Sequence, residues 1–265
     1  MHGVHVITGF IHSVSSEWLK QKRSLTLWLV LGSAAFIPTI IFLSRFRRLG
    51  GLAAIYQAPR FWEGLFRQSW EAMALMILPM AIMLIASLIA QLEYRNNAWK
   101  QLHASPQPLA TIFLAKLTVI LGLVAGLIAT FTAASYLSGV LPAAMLRTGD
   151  APGGAFPLAD FLKRGFSFFV DVLPIVALQY LLAVHFRSFL VPLGIGMALW
   201  IFSIGTMSWA YNYIVPYSYA GIDYLMIEYQ RKLVLPVSPR ILAGAYFLVF
   251  TVAGYVAYVS KRDRG

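Results

Sequence analysis

The chain has no cysteine, which excludes disulfides, thiolate chemistry and cysteine-ligated metal. It is also short of charge. Asp, Glu, Lys and Arg make up 12% of its 265 residues, against roughly a quarter in soluble domains, while 59% are hydrophobic. Acid is the scarcer sign, with 10 Asp and Glu against 21 Lys and Arg, a net charge of +11. Such a balance can signal nucleic acid. Here, however, the basic residues sit in small clusters beside apolar runs, where lipid headgroups are the natural partner and no nucleic acid is expected. With a mean hydropathy of +0.72, the composition calls for a lipid solvent.

Catalytic and phosphate-binding signatures are missing too. No Lys follows a Gly, so a GxxxxGK[ST] phosphate cradle cannot be built. HExxH and GxSxG are absent. The five His (His2, His5, His12, His103 and His185) lack metal-ligand spacing within any apolar run. The reading is a non-enzyme with no cofactor or metal of its own. The first apolar run, Ser24 to Ser44, is too long for a signal-peptide core and reads as an uncleaved first span.

What the chain does have is apolar runs long enough to cross a bilayer, each needing about 20 residues. Charged residues delimit six, read as spans at 24–44, 72–92, 117–141, 166–186, 188–209 and 241–260. The fold class expected is an all-α integral membrane protein in one domain, 1–265. Residues 1–23 precede the first span, and there Ile7, Ile11, Val14 and Trp18 fall at helical spacing with His12, Ser13, Ser16, Glu17 and Lys20 between them. This predicts an amphipathic helix on the membrane surface. Six spans put both termini on one side, but the basic residues of the alternate connections number 10 and 11, so charge bias chooses no orientation.

The connections differ in character. The first carries Phe61, Trp62, Leu65 and Phe66 among Arg60, Glu63 and Arg67, which suits a short interfacial helix with aromatics in the headgroup zone. The third is broken by Gly149, Pro152, Gly153, Gly154 and Pro157. The fourth is a tight turn around His185, Phe186 and Arg187. The fifth, Tyr211 to Arg240, is long enough for a short surface or re-entrant helix.

Within the spans, Asp171 is the one carboxylate. Its position two turns past Arg164 suggests an interfacial acid that reaches headgroup water or is paired by Lys163 or Arg164, and the alternative is substrate or proton handling. Gly122, Gly126, Ala129 and Ala133 form a strip at i, i+4 spacing suited to close helix packing, inside the bundle or between subunits. Phe131, Phe202, Met207 and Trp209 could line a pathway or face core and lipid.

The most distinctive segment runs from Gln91 through Glu93-Tyr94-Arg95-Asn96-Asn97-Ala98-Trp99-Lys100-Gln101-Leu102-His103 to Ser105-Pro106, closing at Lys116. On physical grounds it is a short polar and aromatic helix projecting from the membrane. It suits a docking element or a surface helix without a partner. This segment, the preceding Ser16-Glu17-Trp18-Leu19-Lys20-Gln21-Lys22-Arg23-Ser24 and the six-span plan with its tight fourth turn together resemble the permease subunits of ABC-2 type ATP-binding-cassette exporters. The likeness is nearest the lantibiotic-immunity branch.

That resemblance implies an ABC-2 (type V) exporter-like bundle in a bacterial cytoplasmic (inner) membrane, with both termini cytoplasmic. Residues 1–23 would be its elbow helix, and 93–103 the coupling helix on a separate ATPase dimer. Glu93, Tyr94, Arg95, Asn96, Trp99, Lys100 and Leu102 would meet that ATPase, with His185 and Arg187 nearby and Asp171 a possible substrate or coupling residue. ATP and Mg would be held by the ATPase. A second permease, identical or paralogous, would complete a pathway for a peptide, drug or lipid-like substrate. A non-transporting anchor or sensor is the alternative; a channel would need a more polar lining than Asp171, Gln179 and a few hydroxyls.

Overall fold

The computed structural model describes residues 2–22, 24–47, 52–58, 60–95, 107–146, 152–229 and 237–260, and every regular element among them is a helix. In chain order these are α1 (His2–Gln21), α2 (Leu25–Arg47), α3 (Leu52–Tyr56), α4 (Phe61–Ala72), α5 (Leu78–Arg95) and α6 (Leu109–Leu146). There follow α7 (Leu158–Asp171), α8 (Leu173–His185), α9 (Leu190–Gly205), α10 (Tyr219–Tyr229) and α11 (Pro239–Ser260). A π-helical turn, Met73–Ile77, joins α4 to α5.

Five stretches are long and apolar enough to cross a bilayer: Leu25–Arg47, Phe61–Leu92, Leu109–Met145, Leu158–His185 and Pro239–Ser260. The chain is a multi-pass all-α membrane protein. The sixth apolar helix, α9, has 16 residues. At 1.5 Å per residue it rises about 24 Å, short of a hydrocarbon core of about 30 Å. Its expected continuation to Trp209 is cut at Gly205, where the Thr206 hydroxyl turns back onto the Phe202 carbonyl at 2.9 Å and turns take over.

The crossings alternate, so connections gather at two ends. At the base, Ser13 meets Gln107, Gln91 lies beside Arg187, and Tyr258 packs on Phe113. At the crown, Arg45 reaches Ser138, Trp62 reaches Gly154, and Arg240 reaches Ser167.

Prolines inside the helices explain two of the joints. Pro142 has no N–H, so the Ser138 carbonyl four residues earlier loses its helical donor. Buried Arg45 donates to that carbonyl from Nη1 at 2.7 Å while its guanidinium lies over Phe61. The expected exit of the third span near Gly139 and Pro142 is therefore overrun, and α6 continues to Leu146. Pro79 frees the Leu75 carbonyl in the same way, and Trp200 of α9 donates to it from Nε1 at 2.8 Å.

The π turn has a geometric cause. Buried Phe66, Trp70, Ala74, Leu78 and Ile82 recur every four residues. In an α-helix four residues overshoot a full turn by about 40°, so a long row of this kind drifts off the core face. One wider turn at Met73–Ile77 takes up the drift. Phe66 and Trp70 then point the same way as α5. This overturns the interfacial reading of the first connection: Phe61, Trp62, Leu65 and Phe66 are buried against protein, because α4 continues the second span instead of lying across it.

Gln179 of α8, fully buried, holds the middle of the bundle. Its Nε2 donates to the Pro192 carbonyl at 2.8 Å, and its Oε1 accepts from the Tyr217 hydroxyl at 3.0 Å. Gly196 of α9 makes room: a Cβ there would stand 2.6 Å from both Gln179 Oε1 and Met83 Sδ. Gly196→Ala should therefore cost about 1–3 kcal/mol of stability through overpacking. Gly194→Ala, with no atom within 4 Å of the new methyl, should leave thermal unfolding in detergent unchanged. Equal melting temperatures for the two variants would remove Gly196 from this role.

Candidate functional site

The base of the bundle is organised by one ion pair. On α1, Ser13, Glu17 and Gln21 form a buried stripe at i, i+4, i+8, while Ile11 and Trp18 remain exposed. The polar stripe thus faces protein together with Val14, which packs on the core, while Ile11 faces outward, a division that spacing alone did not assign. Glu17 Oε2 meets Lys116 Nζ at 2.8 Å, and Lys20 adds a second contact to the same carboxylate. Burial pushes the Glu17 carboxyl up, but Lys116 and Lys20 outweigh it and hold it below its ordinary value. Lys116 stands in the second turn of α6 with its side chain 2% exposed. Ser13 Oγ lies 2.9 Å from Gln107 Oε1, and Trp18 lies over Gly122.

The expected docking residues fall at the end of α5 and in the chain between α5 and α6. Glu93, Tyr94 and Arg95 end α5, but their side chains lie outside the described residues, as do Asn96, Trp99, Lys100 and Leu102 altogether. What is described brackets them. Gln91 and Ser87, just before, line one small depression with Arg187 and Ser188 of the turn after α8. Gln107, just after, is held by Ser13 of α1. His185 is exposed at the end of α8. The two connections expected to meet a partner therefore share one face.

A second feature opens at the crown. A cleft of about 350 Å³ between α4 and α7 is walled by Trp62, Phe66 and Phe161 and rimmed by Arg60, Glu63, Asp160 and Arg164. Arg60 is in the left-handed region at φ 67°, the one such non-glycine residue among those described. Arg164 lies 4.5 Å over the Phe66 ring. Nothing in the sequence distinguished this cleft, because its walls come from connections read as surface.

Asp171, at the end of α7, is fully buried. Lys163 is exposed and Arg164 is engaged with Phe66, so the expected interfacial pairing is not what the fold makes. Instead Asp171 faces Asp223 of α10, within hydrogen-bonding reach once one carboxyl carries a proton. Neither oxygen of Asp171 accepts from an N–H or O–H of a described residue. Asp223 Oδ1 lies 3.6 Å from Arg240 Nη2, which also donates to Ser167 Oγ at 3.0 Å. Asp223 and Arg240 lie in and after the fifth connection, far along the chain, and no local pattern linked them to Asp171.

Of the other residues considered, Phe131 is core, Phe202 and Trp209 are exposed, and Met207 packs over Gly221. Gly122 seats Trp18, whereas Ala129 and Ala133 of the same strip face outward.

A family model described as ABC-2 family transporter protein matches residues 13–203, from within α1 to within α9. No curated protein matches the chain.

The base ion pair generates a test. Lys116→Ala removes one partner of a buried pair and should cost about 3 kcal/mol. It should also open α1 to limited proteolysis, and the paired apolar replacement Glu17→Leu with Lys116→Met should restore protection. Because the native Glu17 carboxyl titrates below its unfolded value, its contribution is present at neutral pH and is lost as pH falls through that lowered value. Protection of α1 should hold from pH 7 to about 5 and fall away below about pH 4, the ordinary Glu range. Glu17→Gln should flatten that profile. An unchanged profile in Glu17→Gln would exclude the pair as the anchor.

Proposed function

The chain belongs to the ABC-2 family of transporter proteins, whose permeases are membrane subunits without catalysis of their own, and from this we propose that it is the permease of an ATP-driven bacterial exporter. Its ATPase is a separate cytosolic dimer that binds ATP and Mg, and it works beside a second permease, identical or similar. The base is the cytoplasmic end, so both termini lie on the cytoplasmic side of the membrane. The substrate is a peptide, drug or lipid-like molecule.

One observation carries this reading: residues 96–106 are bracketed by Gln91 with Arg187 on one side and by Ser13, Glu17 and Lys116 on the other. A displacement entering at Gln107 meets Ser13 of α1, on the same helical stripe as the buried Glu17–Lys116 pair. Lys116 belongs to α6, which continues unbroken for 38 residues to the crown. There Arg45 and Tyr56 clasp Ser138 and Gly139. Closure of an ATPase dimer below would thus displace α1 and the foot of α6 together, and α6 would carry the displacement to the crown. The ATPase shifts the bundle only by its difference in affinity for the two arrangements.

The absence of native Cys makes orientation directly testable. Asn97→Cys should react with an impermeant maleimide only after cells are opened, and exposed Ala155→Cys should react in intact cells. The opposite pattern would invert the bundle.

Docking is tested by Trp99→Ala, which should weaken retention of the ATPase by at least about tenfold if the indole is the buried anchor of the interface, a truncation costing ~2 kcal/mol. Trp62 is a poor control because it is buried and stacked on Tyr136. Trp209, exposed beyond the end of α9 and far from the base, is the better one. Loss of the ATPase from Trp209→Ala but not from Trp99→Ala would overturn the assignment.

A further inference from the structure

One face of α7 connects the crown cleft to the buried acid. Phe161, Arg164, Phe168 and Asp171 fall at i, i+3, i+7 and i+10, on a common side of the helix. Phe161 and Arg164 line the cleft. Phe168 stacks on Trp70 with ring centres 4.1 Å apart, and Trp70 packs edge-on against Phe131 at 5.0 Å. Asp171 follows seven residues after Arg164, a rise of about 10 Å. Cleft, aromatic seal and carboxyl therefore lie along one helix face.

The charges at the inner end select what can bind there. Those acting on Asp171 are Asp223 from α10 and Arg240 from α11, with Arg164 of its own helix acting on Asp223. Two carboxyls facing one another, with Asp171 buried and no N–H or O–H donor on its oxygens, are costly to ionise together, so the site as inferred holds one proton between them. The pair then carries one negative charge, which Arg240 balances. Exchanging that proton for an ammonium group keeps the balance and supplies three N–H donors to oxygens that lack them. An anion would add an uncompensated charge. A neutral group would leave the acceptors as they stand.

The seal can move without breaking a hydrogen bond. Trp70 Nε1 is buried and donates to no acceptor among the described residues, so stacking is what holds the ring. Beyond it, the aromatic walls of the cleft suit an apolar or aromatic body, and its rim is charged.

We propose that Asp171 and Asp223 form the recognition site for a primary ammonium group on an amphipathic substrate whose apolar body occupies the Trp62–Phe66–Phe161 cleft. This rests on the permease reading above and names the substrate class for it. The exchange is balanced: the shared proton leaves the carboxyl pair for solvent as the ammonium takes its place between the two carboxylates. No bond to carbon is made or broken.

The test uses the full-length chain in lipid nanodiscs without ATPase, with dansylcadaverine as the probe, whose alkylammonium stays charged below about pH 9. Empty nanodiscs are subtracted. Saturable fluorescence enhancement is expected, with release of about one proton per ligand into weak buffer and affinity rising up to about tenfold per pH unit while the proton is held. The N-acetylated, uncharged probe should bind at least about tenfold more weakly. Asp171→Asn should abolish proton release and lower affinity by a similar factor. Should that variant fail to fold, Asp223→Asn serves, and proton release by the unaltered chain stands by itself. Equal affinity for both probes, binding without proton release, or binding by Asp171→Asn equal to that of the unaltered chain would each overturn the proposal. Such a failure leaves ATPase docking untouched, since no ATPase is present. Failure of the Trp99 pull-down, conversely, leaves this binding result standing.

Discussion

A proline inside a membrane helix creates a debt that lipid cannot settle: the carbonyl four residues earlier has no donor, and no water is at hand. Much of this bundle is arranged around two such carbonyls. Ser138, orphaned by Pro142, takes Arg45; Leu75, orphaned by Pro79, takes Trp200. Each bond joins helices that gain little from hiding apolar surface in an apolar solvent. The first ties α2 to α6 at the crown, and the second ties α9 to the π turn. Gln179 adds a third stitch through Pro192 and Tyr217. The prolines that weaken single helices thus supply the acceptors that hold the helices together.

The two ends of the molecule solve different problems. At the base, an ion pair and a seryl contact fasten α1 to α6 beside the segment that the family likeness assigns to docking. At the crown, aromatic contact dominates: Trp62 stacks on Tyr136 and meets Phe156 edge-on, as Phe66 meets Phe161. Directional bonds suit a point where a load enters, because a displaced charge drags its partner. Stacked rings suit a place where surfaces must part, because sliding costs little until contact is lost.

Helices were legible in the sequence because lipid demands unbroken apolar runs, and charged residues mark their limits. Arg23 and Arg45, or Arg240 and Lys261, bound runs close to the helices Leu25–Arg47 and Pro239–Ser260. The orientation of the flanking elements was not legible. Phe61, Trp62 and Phe66 have a pattern that suits headgroups and protein equally, and only the continuation of α4 into α5 turns them inward. Pro142 read as a stop because its rescue depends on Arg45, a residue from another helix. Asp171 read as interfacial for the same reason: its partner is in α10, inside what looked like a connection. Interactions within a helical turn can be read from spacing, whereas those between helices require the fold.

The π turn at Met73–Ile77 also bears on how this chain can change over generations. Its extra residue sets the rotational phase of α4 against α5. A substitution that let the turn tighten to plain α-helix with all its residues kept would turn everything before it by about 100°. Trp70 would swing out of the slot between Phe131 and Phe168, and Phe66 would leave Phe161. The helix would still be apolar, long enough and insertable, yet its crown half would present the wrong face. Residue choice is therefore constrained at a site where hydropathy alone would leave it free.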